Sequence, residues 1–347
     1  MKAVRFHQHG GPEVLRYEDA PEPDLSPGEA LVRVRACALN YLDVWERRGL
    51  EGVTIPMPHI SGSDVAGEVV ETGGADASLD GGVAAGRRVM LQPGMSCGRC
   101  AECLSGRDNE CRDYEALGYR RHPGGYAEYV KVPVQNLIAI PDGMDFVRAA
   151  AFPLTFLTAW HMLMTRARLE RGEDVLVLAA GSGVGQAAVQ IAVLRGARVL
   201  ATAGSDDKLE RARALGAHEV IHHHKQDVAA EVMRLTNRRG VDVVVEHVGA
   251  ATWAGSVRSL ARAGRLVTCG ATTGPQVGLD LRPLFAKQLS VLGSYVGTKG
   301  ELLHVTRFFF SGQLAPVVDR TFPLAEAADA QRRLEASEHF GKIVLEV

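Results

Sequence analysis

From residue 1 to about 150 the chain alternates apolar and polar positions in short runs that Gly and Pro interrupt. A period of two predicts half-buried strands, here over residues 30–35, 64–71, 88–91 and 126–130. After Phe152-Pro153 the rhythm changes. An apolar run at 174–178 leads into a helical stretch that reaches 194, a second run at 198–202 leads into a helix over 208–215, and strands follow at 220–221, 241–246 and 265–269. Strands alternating with helices predict an α/β domain around a parallel, doubly wound sheet. A strand at 290–295, a helix at 301–311 and a closing strand at 341–347 complete the series. The expected organisation is a β-rich domain made of residues 1–152 and 297–347, with a dinucleotide-binding domain over 153–296 between its two pieces.

Four cysteines break into the β-rich half as Cys97-Gly-Arg-Cys100-Ala-Glu-Cys103, with Cys111 beyond. Four thiolates so spaced can close a tetrahedral zinc site, and closed coordination makes that metal structural, folding a lobe near 94–113. Disulfides fit poorly, because cysteines two residues apart strain the bond and nothing in Met1-Lys-Ala-Val-Arg-Phe6 resembles a secretory signal. An iron–sulfur run would end Cys-x3-Cys-Pro, whereas seven residues separate Cys103 from Cys111 and Arg112 follows. Cys37 and Cys269 lie in apolar stretches and read as inert core. Across 347 residues the formal charge is -2, no block of Lys and Arg occurs, and no apolar run is long enough to span a bilayer. Nucleic acid and membrane are therefore not expected partners, and a cytoplasmic location and a small-molecule substrate are.

The stretch Ala179-Ala-Gly-Ser-Gly-Val-Gly185 follows a buried strand and opens a helix, the context a dinucleotide fingerprint requires. In the register Ala180-x-Ser182-x-x-Gly185 only the third, packing glycine is kept. Ser182, Gly183, Val184 and Gly185 would then offer a helix N-terminus to a pyrophosphate. The next strand ends at Ala203-Gly204-Ser205, where an NAD site usually holds an acid on the ribose. No acid stands there, and Ser205 with Lys208 can face a 2′-phosphate, so NADP(H) is expected over NAD(H). Ser205 also reads as the cap of the following helix, and His222-His223-His224 as a solvated turn.

Taken together, these motifs resemble the medium-chain dehydrogenase/reductase superfamily over essentially the whole chain. The resemblance implies a GroES-like catalytic domain formed by both chain ends, a Rossmann domain between them, a substrate cleft at their junction and assembly as a homodimer or homotetramer. It assigns Cys97, Cys100, Cys103 and Cys111 to a structural zinc, and Lys342 in Gly341-Lys-Ile-Val-Leu345 to the cofactor pyrophosphate. The catalytic zinc ligands of its zinc alcohol dehydrogenases are replaced here by Asn40-Tyr-Leu-Asp43, Gly62-Ser63-Asp64 and Phe152-Pro-Leu-Thr155. Asn40-Tyr-Leu-Asp43, Gly124-Gly-Tyr-Ala-Glu128 and the stretch 152–160 are similar instead to the quinone oxidoreductase and enoyl-CoA reductase branches, which transfer hydride without a catalytic metal.

Without a metal, a conjugated carbonyl must be polarised by hydrogen bonds. Asn40 and Tyr41 are the expected donors, with Ser63 and Asp64 facing the same cleft and Asp64 readable equally as a structural acid. Thr158 resembles a family residue near the nicotinamide amide and the substrate, and Gly249, Gly270 and Ala271, after successive strands, are expected to line the nicotinamide ring with backbone groups. His59, His161 and His247 read as satisfied histidines, and the pairs Arg47-Arg48 and Arg120-Arg121 as candidate receivers of a CoA phosphate. Two alternatives stand beside the reductase. One is an alcohol dehydrogenase recruiting zinc through His59, Asp64 and Cys37, and the other is a nucleotide-sensing protein without activity.

Overall fold

The computed structural model describes residues 1–73 and 84–347, which divide into two units: 1–154 with 298–303 and 315–347, and 155–297 with 304–314. In the first unit the strands are β1 (Lys2–Arg5), β2 (Arg16–Asp19), β3 (Glu29–Ala38), β4 (Asp64–Thr72), β5 (Arg88–Leu91), β6 (Gly94–Met95), β7 (Glu115–Ala116), β8 (Tyr129–Pro133) and β9 (Leu137–Ala139). β3 is the hub: it pairs antiparallel with β4 and with β8. Its inward residues Val32, Val34 and Cys37 join Val65, Val89 and Tyr126 in the core of the unit. Pairing of β3 with β4 shifts register near Val34, and there Gly67 passes so close that a Cβ would stand 2.0 Å from the Arg33 carbonyl oxygen. Only glycine allows that bulge.

The second unit is a six-stranded, all-parallel sheet of β10 (Asp174–Val177), β11 (Arg198–Ala203), β12 (Glu219–His222), β13 (Val241–Glu246), β14 (Leu260–Thr268) and β15 (Ser290–Gly293). Its order, β12-β11-β10-β13-β14-β15, reverses direction between β10 and β13, where doubly wound sheets bind ligands beyond their strand ends. Val175, Leu176 and Val177 are all fully buried, as a central parallel strand covered on both faces must be.

The chain returns to the first unit with β16 (Val318–Pro323) and β17 (Lys342–Glu346), and β17 pairs antiparallel with β3. Leu39 N donates to the Ile343 carbonyl at 2.9 Å, which lays Lys342 beside Leu39 and Asn40. Two expectations shift. The strand expected at 126–130 starts only at Tyr129, because residues 126–127 pair with the start of the chain instead: Val4 N donates to Tyr126 O at 2.8 Å, and Ala3 bridges Ala127. Residues 304–314, expected in the first domain, pack with the second, where His304 and Phe308 lie against the Trp160 ring at 5.1 and 5.6 Å.

Candidate active site

Asn40, Asp64 and Lys342 come from three distant segments and meet in the interior of the first unit. The Lys342 ammonium donates to Leu39 O at 2.6 Å, Asn40 Oδ1 at 2.6 Å and Asp64 Oδ2 at 3.0 Å. Asn40 Nδ2 in turn donates to Asp64 Oδ2 at 2.9 Å, and Leu154 N to Asp64 Oδ1 at 2.8 Å. Asp64 is fully buried and Lys342 is 2 % exposed. A buried ion pair holds only when its remaining hydrogen-bonding capacity is filled, and here every proton of the ammonium and both carboxylate oxygens have partners.

This arrangement corrects three expectations at once. Lys342 has no donor left for a pyrophosphate while these bonds stand. Asn40 is committed at both ends of its amide, so it positions Lys342 and Asp64 rather than polarising a substrate. Asp64 takes its structural reading, as partner of the ammonium. Tyr41 differs: it is half-buried, packs edge-on to Trp45 at 5.5 Å, and its hydroxyl bonds no described residue. The residues that replace the other ligands of a catalytic zinc, Ser63 in the first unit and Thr155 in the second, carry buried hydroxyls without hydrogen-bond partners among the described residues.

A second buried network, which sequence reasoning missed, adjoins Asn40. Asp43 Oδ2 accepts from Asn40 N and from the Tyr126 hydroxyl, both at 2.9 Å, and Glu46 Oε2 accepts from Ser61 Oγ at 2.8 Å. Burial pushes the Asp43 carboxyl up to about 6 and the Glu46 carboxyl well above its ordinary range, with Asp43 adding to the latter. Nothing in Trp45-Glu46-Arg47 signals burial; a charged helix segment is ordinarily solvated. Here Arg47, also fully buried, bonds Gln331, the Gly10 carbonyl and Glu335, so it is structural. Arg48 likewise pairs with Glu335 at 2.9 Å, and Arg120 and Arg121 share Glu115 at 3.2 and 3.0 Å, so neither pair stands ready for a CoA phosphate.

The sign of the Asp43 shift has a measurable consequence. The native state keeps a proton that the unfolded chain releases, so the group's contribution to stability is complete below pH of about 4. It is lost as pH rises through 6. Asp43→Asn, whose amide oxygen can still accept from Asn40 and Tyr126, is expected to remove about 1–2 kcal/mol of decline between pH 5 and 8. Denaturant midpoints of both proteins at the two pH values check this, and an unchanged slope would exclude Asp43 as its source.

In the cysteine lobe one sulfur from each of Cys97, Cys100, Cys103 and Cys111 lies within 4.8 Å of the others, and Cys97 and Cys103 sulfurs are 3.9 Å apart. Zinc–sulfur bonds of about 2.3 Å put tetrahedral sulfurs about 3.8 Å apart, so the donor set fits zinc in type and spacing. This is the only such ligand group among the described residues. The lobe is tied down at Asp108, whose carboxylate accepts from Lys299 N at 3.0 Å. The substitutes proposed for a second metal do not converge: His59 Nε2 bonds Gly118 O at 2.9 Å, Asp64 holds Lys342, and burial pushes the Cys37 thiol up.

In the second unit Ser182 caps the helix Gly183–Leu194, its Oγ accepting from Gly185 N at 2.9 Å. A Cβ on Gly185 would stand 2.2 Å from the Ala179 carbonyl oxygen, the close helix–strand approach that the third fingerprint glycine serves. Ser205 caps the helix Asp206–Ala214 and accepts from Lys208 N. Gly249 has φ of 95° in the loop after β13, Gly270 and Ala271 follow β14, and Thr158 is buried in the helix Pro153–Trp160. Sequence reading overlooked Glu246, which organises the Gly249 loop. Fully buried, it accepts from Val248 N, Gly249 N, Thr252 Oγ1 and Ser256 Oγ at 2.7–3.1 Å. The available signal was an acid ending an apolar strand just before glycine and two hydroxyl residues. His247 is satisfied by the Leu178 carbonyl at 3.0 Å.

A β-rich unit closed by both chain ends, a doubly wound unit with a nucleotide fingerprint and a four-cysteine lobe together define a nicotinamide-dependent oxidoreductase. Residues 26–142 match the alcohol dehydrogenase GroES-like domain and residues 183–311 the zinc-binding dehydrogenase family. The chain is 32 % identical to a quinone oxidoreductase of Pseudomonas aeruginosa over 99 % of both proteins. It is 30 % identical to a crotonyl-CoA reductase of Streptomyces collinus, over 95 % of this chain and 80 % of that one. A crystal structure described as an NAD-dependent alcohol dehydrogenase shares 48 % identity and a TM-score of 0.95 over the whole of both chains. The chain belongs to the medium-chain dehydrogenase/reductase superfamily and is an NAD(P)-dependent oxidoreductase.

Proposed function

We propose that the protein is an NADPH-dependent reductase of conjugated carbonyl compounds, quinones or enoyl thioesters, with one structural zinc and no catalytic metal. The observation that carries this reading is the Lys342 ammonium, buried between Asn40 Oδ1 and Asp64 Oδ2. In a metal alcohol dehydrogenase these positions would supply ligands to a cation that stabilises alkoxide. Here their oxygens are filled by a fixed ammonium with no coordination position to offer a substrate.

Bound reduced nicotinamide supplies a hydride, which suits the electron-poor carbon of a C=C bond conjugated to C=O. The chain's own residues bind and polarise. The amides opening the helix at Gly183 and Val184 meet the pyrophosphate, and Gly185, whose own amide donates to Ser182 Oγ, lets the helix pack close against the Ala179 carbonyl. Ser205 and Lys208 take the 2′-phosphate end, and Thr158, Gly249, Gly270 and Ala271 the nicotinamide end. Tyr41, whose phenol bonds no described residue, donates to the carbonyl oxygen as negative charge develops there, while Asn40 and Asp64 hold the start of the helix Tyr41–Arg48 that carries it. The alternative, an NAD-dependent alcohol dehydrogenase, has the name of the 48 % identical structure in its favour and the saturated ligand positions against it.

Purified protein is expected to oxidise NADPH with enones, quinones or enoyl-CoAs and to oxidise simple alcohols poorly. Tyr41→Phe should lower kcat roughly 10²-fold, the effect of losing one oxyanion donor, with zinc content unchanged. Robust alcohol oxidation that rises with a second bound metal would overturn the assignment, and undiminished turnover in Tyr41→Phe would remove the phenol from the chemistry.

A further inference from the structure

We propose that His223 and His224 complete a 2′-phosphate pocket with Lys208, making them determinants of cofactor specificity whose grip depends on pH; this rests on the NADP(H) reading above. β11 and β12 run parallel, with Ala203 opposite His222, so the segments leaving both strands emerge side by side. Gly204 follows β11, where an NAD site would carry its acid. A Cβ there would stand 2.8 Å from His224 Nε2 and 2.9 Å from His223 Nε2. Two imidazole nitrogens therefore crowd the point where a side chain would leave Gly204, and an acid there would have to push both rings aside. The two rings meet edge to face at 4.4 Å, and both residues are exposed to solvent and to a ligand.

The charges around them favour an anion. Lys208 lies on the helix that Ser205 caps. Asp206, the acid next along the chain from Ser205, is held by Lys225 at 2.9 Å and faces His222 at 3.8 Å. His222 itself is buried, with Nδ1 lacking a hydrogen-bond partner among the described residues. A metal does not explain the cluster, since the cysteines are the only convergent ligand group among the described residues. Partial desolvation of the ring by its neighbours, then the charges of His224, His222 and Lys208, hold the His223 imidazole below its ordinary range. A phosphate dianion reverses that balance: it favours the protonated ring, so binding takes up a proton and weakens as pH rises. Neutral rings donate one N–H each; protonated ones add the stronger, charge-assisted bond.

The test is calorimetric titration of the intact protein with adenosine 2′,5′-bisphosphate and with adenosine 5′-monophosphate, at pH 6 and pH 8. It compares the wild type with His223→Gln/His224→Gln, two exposed positions. The ratio of the two affinities isolates the 2′-phosphate, and the variant cancels that phosphate's own titration. The wild-type ratio at pH 6 should exceed the variant's by about 10- to 100-fold, the size of charge-assisted hydrogen bonds, and the excess should shrink at pH 8. A large ratio indifferent to the substitution would refute the histidine pocket while leaving the NADP(H) preference intact. A ratio near unity in both proteins would refute both.

Discussion

Replacing Lys342 by Met is expected to destabilise the first unit by about 3–5 kcal/mol, the usual result of removing one partner from a buried ion pair. The size follows from what remains. Asp64 is fully buried, and without the ammonium its Oδ2 keeps a single amide donor from Asn40 while its charge has no counterion. A carboxylate so placed must stay desolvated or take up a proton, and either course lowers stability at neutral pH. A second change separates charge from packing: Lys342→Met with Asp64→Asn should recover much of the loss, because no net charge is then left buried. Trp45 lies in the first unit whereas Trp160 and Trp253 lie in the second, so fluorescence in a Trp160→Phe/Trp253→Phe background follows the relevant transition. A single variant within 1 kcal/mol of wild type in its denaturant midpoint, on the scale of an exposed pair, would show that the network does not hold the unit together.

Loss of the metal should have a larger effect. Cys100→Ser is expected to lower zinc from one atom per chain to none and to unfold the segment around 94–116, since apparent binding energies of about 10–16 kcal/mol for small four-ligand sites are folding energy of the lobe. The lobe has little else to hold it: its ordered elements are the two-residue strands β6 and β7, a helix of four residues, Ala101–Leu104, and a short turn at Asp108–Glu110. Elemental analysis and limited proteolysis read the two effects separately. Substituting Cys37 or Cys269 should leave the zinc content unchanged. Two zincs, or none, in well-folded wild-type protein would overturn the assignment. Activity lost along with the metal would not bear on the reaction, because the lobe unfolds with it.

What the sequence determined by itself is whatever local periodicity and spacing encode. The strand–helix alternation after residue 153 specified a parallel sheet, because each element must bury its own apolar face or stripe and that requirement is written within a few residues. The cysteine spacing specified a four-thiolate site for a similar reason, since four donors within fifteen residues can converge whatever the rest of the chain does. Ser205 and Gly185 were legible because capping and close helix packing are local. The roles of Asn40, Asp64 and Lys342 were not, because their meeting joins residues separated by 24 and 278 positions through the pairing of β17 with β3 and of β3 with β4. Only that pairing decides that the lysine saturates its donors inside the unit. The burial of Glu46 and Arg47 and the placement of His223 and His224 against Gly204 are of the same kind. Charge and polarity read along a chain report what a side chain can do, whereas its partners, and therefore its protonation and its availability to a ligand, are set by which distant strands lie beside it.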